Sequence, residues 1–261
     1  DYDVYGTASG DFHIFGPYEA PHGFGRMSIV RGVAYDEPFA EAETALRFEG
    51  AGVRLDGLTM RKGGGLVTAA AYVGWNGTYT FDADGRRLAV DTLYMTSFPG
   101  YPVLSGSLDF TATGSGTFDA IRYDVKWNAR DLFLGDEGVG EVTGRLSIRG
   151  LLLTYELEAA SPRLAVSGTG RVELNDEMDA DLSFRITDTS LDPYLRAFQP
   201  TLSPYTSAVA SGTIRVVGEL YNPDALRIDT RVENLDVRLF DYRLRNALPL
   251  ILHVDGPTLR V

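Results

Sequence analysis

The chain has no cysteine among its 261 residues, which excludes disulfides, thiolate nucleophiles and cysteine-based zinc sites without fixing a compartment. No apolar run approaches the ~20 residues of a membrane-spanning helix. Cationic surplus is missing too: 24 Lys+Arg stand against 36 Asp+Glu, a net charge of −12. Such a surface repels phosphate backbones, so nucleic acid is not an expected partner, and acidity reads first as a solubility device. Histidines number three, His13, His22 and His253, scattered with no metal-ligand spacing. No nucleophile elbow, phosphate loop or zinc-ligand helix is found. The chain opens on Asp1 with no signal peptide and stops in a strand-like run, Thr258 to Val261. It therefore reads as a segment of a longer protein.

What is present is glycine, tyrosine and phenylalanine, at 29, 14 and 13 residues, a mixture suited to many short strands joined by tight turns. Apolar residues recur at every second position, and successive side chains of a strand point to opposite faces. The alternation marks Phe12 and Ile14; Leu46 and Phe48; Val53 and Leu55, followed by Leu58 and Met60; Tyr79 and Phe81; Leu108 and Phe110. It continues through Tyr123 and Val125; Leu146 and Ile148; Leu153 and Tyr155; Leu182, Phe184 and Ile186; Ile214 and Val216; Leu226 and Ile228; and Leu235, Val237 and Leu239. Between them stand Arg47, Arg54, Asp56, Arg122, Asp124, Arg145, Asp181, Arg185, Arg227, Asp229, Asp236 and Arg238. Each strand thus has one oily side and one wet, charged side.

Turn chemistry is local. Gly63-Gly64-Gly65, Asn76-Gly77, Asp84-Gly85 and Asn175-Asp176 predict hairpins, hence antiparallel neighbours and a meander. One short helix is expected near 192–199, with Asp192 as N-cap, Pro193 at its first position, Tyr194, Leu195 and Phe198 on one face, and Pro200 as its stop. A weak repeat of roughly 100 residues starts near 9, 105 and 211, at Ser9-Gly10, Ser105-Gly106 and Ser211-Gly212, each expected to open a strand. The acidic groups Asp176, Glu177, Asp179, Asp181 and Asp82-Ala83-Asp84-Gly85 lack calcium-loop ligand spacing and read as solvated hairpin tips.

Several stretches resemble one family. Ser190-Leu191-Asp192-Pro193-Tyr194-Leu195, Ala210-Ser211-Gly212-Thr213-Ile214-Arg215-Val216 and Leu244-Arg245-Asn246-Ala247-Leu248-Pro249-Leu250 look like the repeating middle region of TamB proteins. So does Arg31-Gly32-Val33-Ala34-Tyr35-Asp36-Glu37-Pro38-Phe39. TamB proteins belong to the AsmA-like bacterial envelope family. The resemblance implies a periplasm-spanning, all-β, elongated antiparallel meander, continuous over 1–261 and curled into a taco-like groove. It also implies an inner-membrane anchor outside this segment, phospholipid acyl chains as cargo, and an outer-membrane assembly partner. The apolar residues named above would line the groove. No cofactor, metal or catalytic residue is expected.

Exposing one methylene to water costs ~0.8 kcal/mol, so a two-chain lipid faces on the order of 25 kcal/mol, which an apolar trough removes without chemistry. Three alternatives stay open. The apolar faces could fill a closed sandwich core. They could face lipid in an outer-membrane barrel, against which the runs read as mostly shorter than the ~9–11 residues needed to cross a bilayer. Sheet edges could instead take client strands by β-augmentation, aiding outer-membrane protein assembly.

Overall fold

The computed structural model describes residues 4–96, 102–161, 163–199, 201–203, 205–256 and 258–260. The chain is all-β and antiparallel, with one short helix, and falls into two compact units. Unit 1 comprises Asp1–Pro99 and Gly106–Trp127, and unit 2 comprises Gly100–Ser105 and Asn128–Val261.

Unit 1 holds β1 (Val4–Phe15), β2 (His22–Ala34), β3 (Glu37–Glu49), β4 (Gly52–Lys62), β5 (Gly65–Gly74) and β6 (Thr78–Ala89). It also holds most of β7 (Leu104–Thr117) and the first half of β8 (Ala120–Leu134). From β1 to β7 each strand pairs with the next in the chain. Unit 2 holds β9 (Glu137–Arg149), β10 (Leu152–Ser161), β11 (Leu164–Glu173), β12 (Asp179–Ser190), α1 (Asp192–Phe198), β13 (Thr206–Glu219) and β14 (Arg227–Leu239). It ends with β15 (Tyr242–Arg245), β16 (Leu250–Asp255) and β17 (Thr258–Arg260). Pairing is again sequential from β9 to β14, after which β15 and β16 both pair with β14. The meander expected from the hairpin signals is therefore observed.

Strands of 10 to 15 residues dominate both units, so the apparent shortness of the runs was misleading. A β-bulge explains the discrepancy, because one extra residue in a strand flips the sequence parity of its apolar face. In β4 the apolar positions Val53 and Leu55 pass to Leu58 and Met60 across a register shift, with Gly57 at φ 62°. In β6 Phe81 and Gly85 pass to Leu88 across Arg87, φ 52°. In β12 Ile186 passes to Thr189 across Asp188, φ 42°, and β14 shifts register between Val232 and Asn234, ahead of Leu235. Read without the bulge, each long strand looks like two short ones.

Side chains from the following strand secure two of these bulges. Asp109 accepts the Arg87 amide at 2.7 Å, and Ser211 Oγ accepts the Asp188 amide at 2.9 Å. Ser9, Ser105 and Ser211 of the weak repeat fall on β1, β7 and β13, six strands apart each time. Only Ser105 stands at a strand start, however; Ser9-Gly10 and Ser211-Gly212 lie within their strands.

Two further expectations need correction. Asp84-Gly85 is not a turn but lies inside β6, paired to Thr68-Val67 and to Thr111-Phe110. Glycine is required there because a Cβ would collide with the Phe110 ring packed across it. Asp82 and Asp84 are consequently strand residues rather than a hairpin tip, and Asp84 binds Arg86 at 2.6 Å and 2.7 Å.

In α1 the N-cap is Leu191, and Asp192 accepts the Ala208 amide at 2.6 Å, tying the helix to β13. The buried member is Pro193, while Leu195 and Phe198 face solvent. Tyr194 donates its hydroxyl to the Arg163 carbonyl. Arg196 grips Glu137 of β9 at 2.7 Å and 3.2 Å. Pro200 lies outside the described residues.

Candidate functional site

Directly paired residues of antiparallel strands project to the same face, so the registers assign most of the predicted apolar residues a row. In unit 1 one row runs Phe12, Gly25, Leu46, Leu55, Ala71, Phe81, Gly114, and the next runs Ile14, Gly23, Phe48, Val53, Val73, Tyr79, Gly116. Tyr123 joins them, its ring centroid 5.3 Å from Phe81 and 5.8 Å from Tyr79. Val125 follows by alternation along β8. Leu108 pairs with Leu88 and Phe110 with Gly85, extending the same face.

In unit 2 one row runs Leu146, Tyr155, Gly170, Leu182, Val216, Ile228, Val254. Beside it run Leu157, Gly168, Phe184, Ile214, Thr230, Leu252 and then Ala159, Val166, Ile186, Gly212, Val232, Leu250. Ile148 faces Leu153 in a further row. Beyond the β14 bulge Leu235, Val237 and Leu239 pair with Ala210, Ala208 and Thr206 on the same side of β13. Leu226 precedes β14 rather than belonging to it. Leu226 aside, the predicted residues of each unit are brought onto one face.

Their exposure is the informative quantity. Of the predicted set only Tyr79 is buried, at 6%; Phe12, Ile14 and Leu239 are exposed at 49%, 52% and 39%. All the others are half-buried. The interior of a close-packed sandwich leaves no such accessible area. Rings fill the room above glycines of adjacent strands: a Cβ at Gly114 would strike the rings of Phe81 and Tyr123. The Tyr155 hydroxyl is buried without a hydrogen-bond partner among the described residues, and burial raises its pKa above the usual phenol value.

The opposite face of each unit is polar and carries hollows. In unit 1 a hollow of about 680 Å³ is lined by Asp11, Arg26, Glu43 and Asp56 with Ser9, Ser28 and Thr59. In unit 2 one of about 530 Å³ is lined by Arg185, Arg215 and Arg231 among serines and threonines. The alternation could reveal neither, because each is assembled across strands.

One buried cation was also missed. Lys62, 5% exposed, donates to the carbonyls of Pro38 and Thr92 at 2.7 Å and 3.0 Å and pairs with Glu37 at 2.8 Å. Its carbonyl partners mark it as a clamp between β3, β4 and the turn after β6.

The histidines sit apart. His13 packs against Phe15 and Phe24 and His22 against Phe15 in unit 1, and His253 Nδ1 lies 2.5 Å from Asp229 in unit 2. No group of three metal-ligating side chains occurs among the described residues. Comparison with family models, with curated proteins and with solved structures yields no match to this chain.

Proposed function

We propose that this chain is a segment of a non-enzymatic lipid conduit, whose apolar face carries phospholipid acyl chains between the inner and outer membranes of a bacterial envelope. The carrying observation is that apolar rows cross five to seven consecutive strands in each unit yet stay only partly buried. A folded chain does not leave that much contiguous apolar area to water without a partner for it. Acyl chains fit the need, because they are apolar along their length and ask for no fixed register of polar groups. The resemblance to the TamB repeat region supports the same reading, in which the segment lies in the periplasm with its anchor and its outer-membrane assembly partner elsewhere.

The chemistry asked of the protein is solvation alone. At ~25 cal/mol per Å² of apolar surface removed from water, a strip of a few hundred Å² offsets several kcal/mol of acyl exposure at each step. Transfer along rows of similar side chains then needs no deep trap.

Photo-crosslinking residues placed at Phe48, Val125, Phe184 and Val237, with mass spectrometry of the adducts, test the reading. Phospholipid adducts are expected at all four. Adducts to protein alone at every position would refute the conduit. Val125→Arg and Phe184→Arg should each block transfer in the full-length protein at unchanged abundance. Solubility of the segment without detergent would separate a conduit from a membrane-embedded barrel.

A further inference from the structure

The polar hollow of unit 2 is built on β11, β12, β13, β14 and β16, on the side of the sheet away from the apolar rows. Two cross-strand rows form its floor. One reads Ser167, Arg185, Thr213, Arg231, Ile251, so Thr213 stands between two arginines and an exposed isoleucine closes the row. The next reads Thr169, Ser183, Arg215, Asp229, His253.

The arginines of this floor are not equivalent. Arg215 is spent on Asp181, which accepts at 3.0 Å and 3.1 Å and is held below the usual carboxylate range by that bond. Asp229 is engaged by His253. The side chains of Arg185 and Arg231 have no ion pair or hydrogen bond among the described residues. Several outer-face arginines elsewhere are matched to a carboxylate: Arg47 with Asp56, Arg54 with Glu49, Arg86 with Asp84, and Arg243 with Asp236. On a chain of net charge −12, acceptors are plentiful, yet these two cations stand two strands apart, roughly 10 Å, with only a threonine between them.

Guanidinium forks that repel one another across a hydroxyl-lined hollow suit an anion that both can reach. Planar, paired N–H donors match phosphate and carboxylate oxygens alike, and two arginines together balance the roughly double charge of a phosphate monoester, which one carboxylate does not carry. The hydroxyls of Ser183, Thr169 and Thr213 donate and accept, and so suit the alcohols of a polyol beside that phosphate. The hollow is concave, so its ligand must enter it, which a flat bilayer does not do.

We propose that unit 2 binds a soluble phosphorylated polyol in this hollow, with Arg185 and Arg231 gripping the phosphate above Thr213 and the neighbouring hydroxyls holding the polyol. The site lies on the opposite side of the sheet from the acyl-chain rows, so it stands or falls independently of the conduit.

Titration of the protein with glycerol 3-phosphate, followed by calorimetry and by backbone amide shifts, tests the assignment. Saturable binding is expected, with shifts centred on β12 to β14, weakening as salt rises. The double variant Arg185→Gln/Arg231→Gln should bind about tenfold or more weakly, since each charge-assisted contact is worth at least that factor. Its fold is expected to persist because neither side chain has a partner to lose, and unchanged amide shifts outside the hollow would verify this. Arg26→Gln, in the unit 1 hollow, should leave binding unchanged. Absence of saturable binding, equal binding by the double variant, or equal binding of unphosphorylated glycerol would each overturn the proposal. So would arginine-dependent capture by phosphatidylglycerol vesicles without binding of glycerol 3-phosphate, which would make the surface a membrane contact.

Discussion

Units 1 and 2 use the same antiparallel meander and the same one-sided apolar rows, but they differ in what fills those rows and in what lies behind them. In unit 1 the rows are rings set over small residues: Phe12 over Gly25, Phe81 over Gly114, Phe110 over Gly85, with Ala69, Ala83 and Ala112 between. In unit 2 they are mostly branched aliphatics such as Leu182, Val216, Ile214 and Ile228. Behind the rows, the hollow of unit 1 sets three carboxylates against one arginine, whereas that of unit 2 sets three arginines against one carboxylate. Both units are net acidic, so bulk charge cannot explain the contrast. The apolar side answers one demand in two ways; the polar side is where the units have diverged.

Their internal fastenings differ as well, and the largest expected effect tests that. Lys62→Met should destabilise unit 1 by ~3 kcal/mol, because it strips the Pro38 and Thr92 carbonyls and the Glu37 carboxylate of their buried cation. Hydrogen exchange should rise in β3 to β5 and stay unchanged in β11 to β13. An equal rise in both would show that the units do not respond separately.

A smaller effect probes the ring-over-glycine design. Gly114→Ala should cost ~1–3 kcal/mol through collision with Phe81 and Tyr123. The added Phe81→Leu change should recover much of that cost, measured by denaturant midpoint. Failure of Phe81→Leu to compensate would argue that the glycine serves backbone conformation rather than ring packing.

The smallest effect concerns the helix of unit 2. The Arg196 hydrogen bond holds the Glu137 carboxyl below its ordinary value of 4.5. A depressed carboxylate contributes stability above its unfolded pKa and loses it as pH falls through the folded one. Protection factors of the α1 amides, corrected for the intrinsic exchange rate, should therefore fall as the pH is lowered below about 4.5, and Glu137→Gln should abolish that dependence.

Much of this architecture was legible from residue order. The alternation located β1, β3, β4, β6 to β10 and β12 to β14 but not β2, β5, β11, β15 or β16, and Asn76-Gly77 marked a true turn, with Asn76 accepting from the Thr78 amide at 3.2 Å. The parity change from Leu55 to Leu58 was also visible, although only the register shows it to be a bulge. Asp84-Gly85 misled because a glycine needed under a distant ring is locally identical to one needed in a turn; the tie is broken by Phe110, on the next strand. Asp192 misled because its carboxylate serves β13 instead of its own helix. The Lys62 clamp and the arginine hollow were invisible for a common reason. Their members are adjacent only across hydrogen-bonded strands, and nothing in the spacing of Arg185, Thr213 and Arg231 announces that they share a row.

The strictly neighbour-to-neighbour pairing has a kinetic consequence. No strand from β1 to β7, or from β9 to β14, must wait for a distant part of the chain before finding its first partner. Loop-closure entropy is thus met in small instalments, and topologies rich in near-sequence contacts fold fast for their size. A polypeptide emerging end first, from a ribosome or through a translocation pore, can lay down one hairpin while the next is still threading. Each new strand covers the hydrogen-bonding edge of the last, so the aggregation-prone edge is exposed for one strand's worth of synthesis at a time.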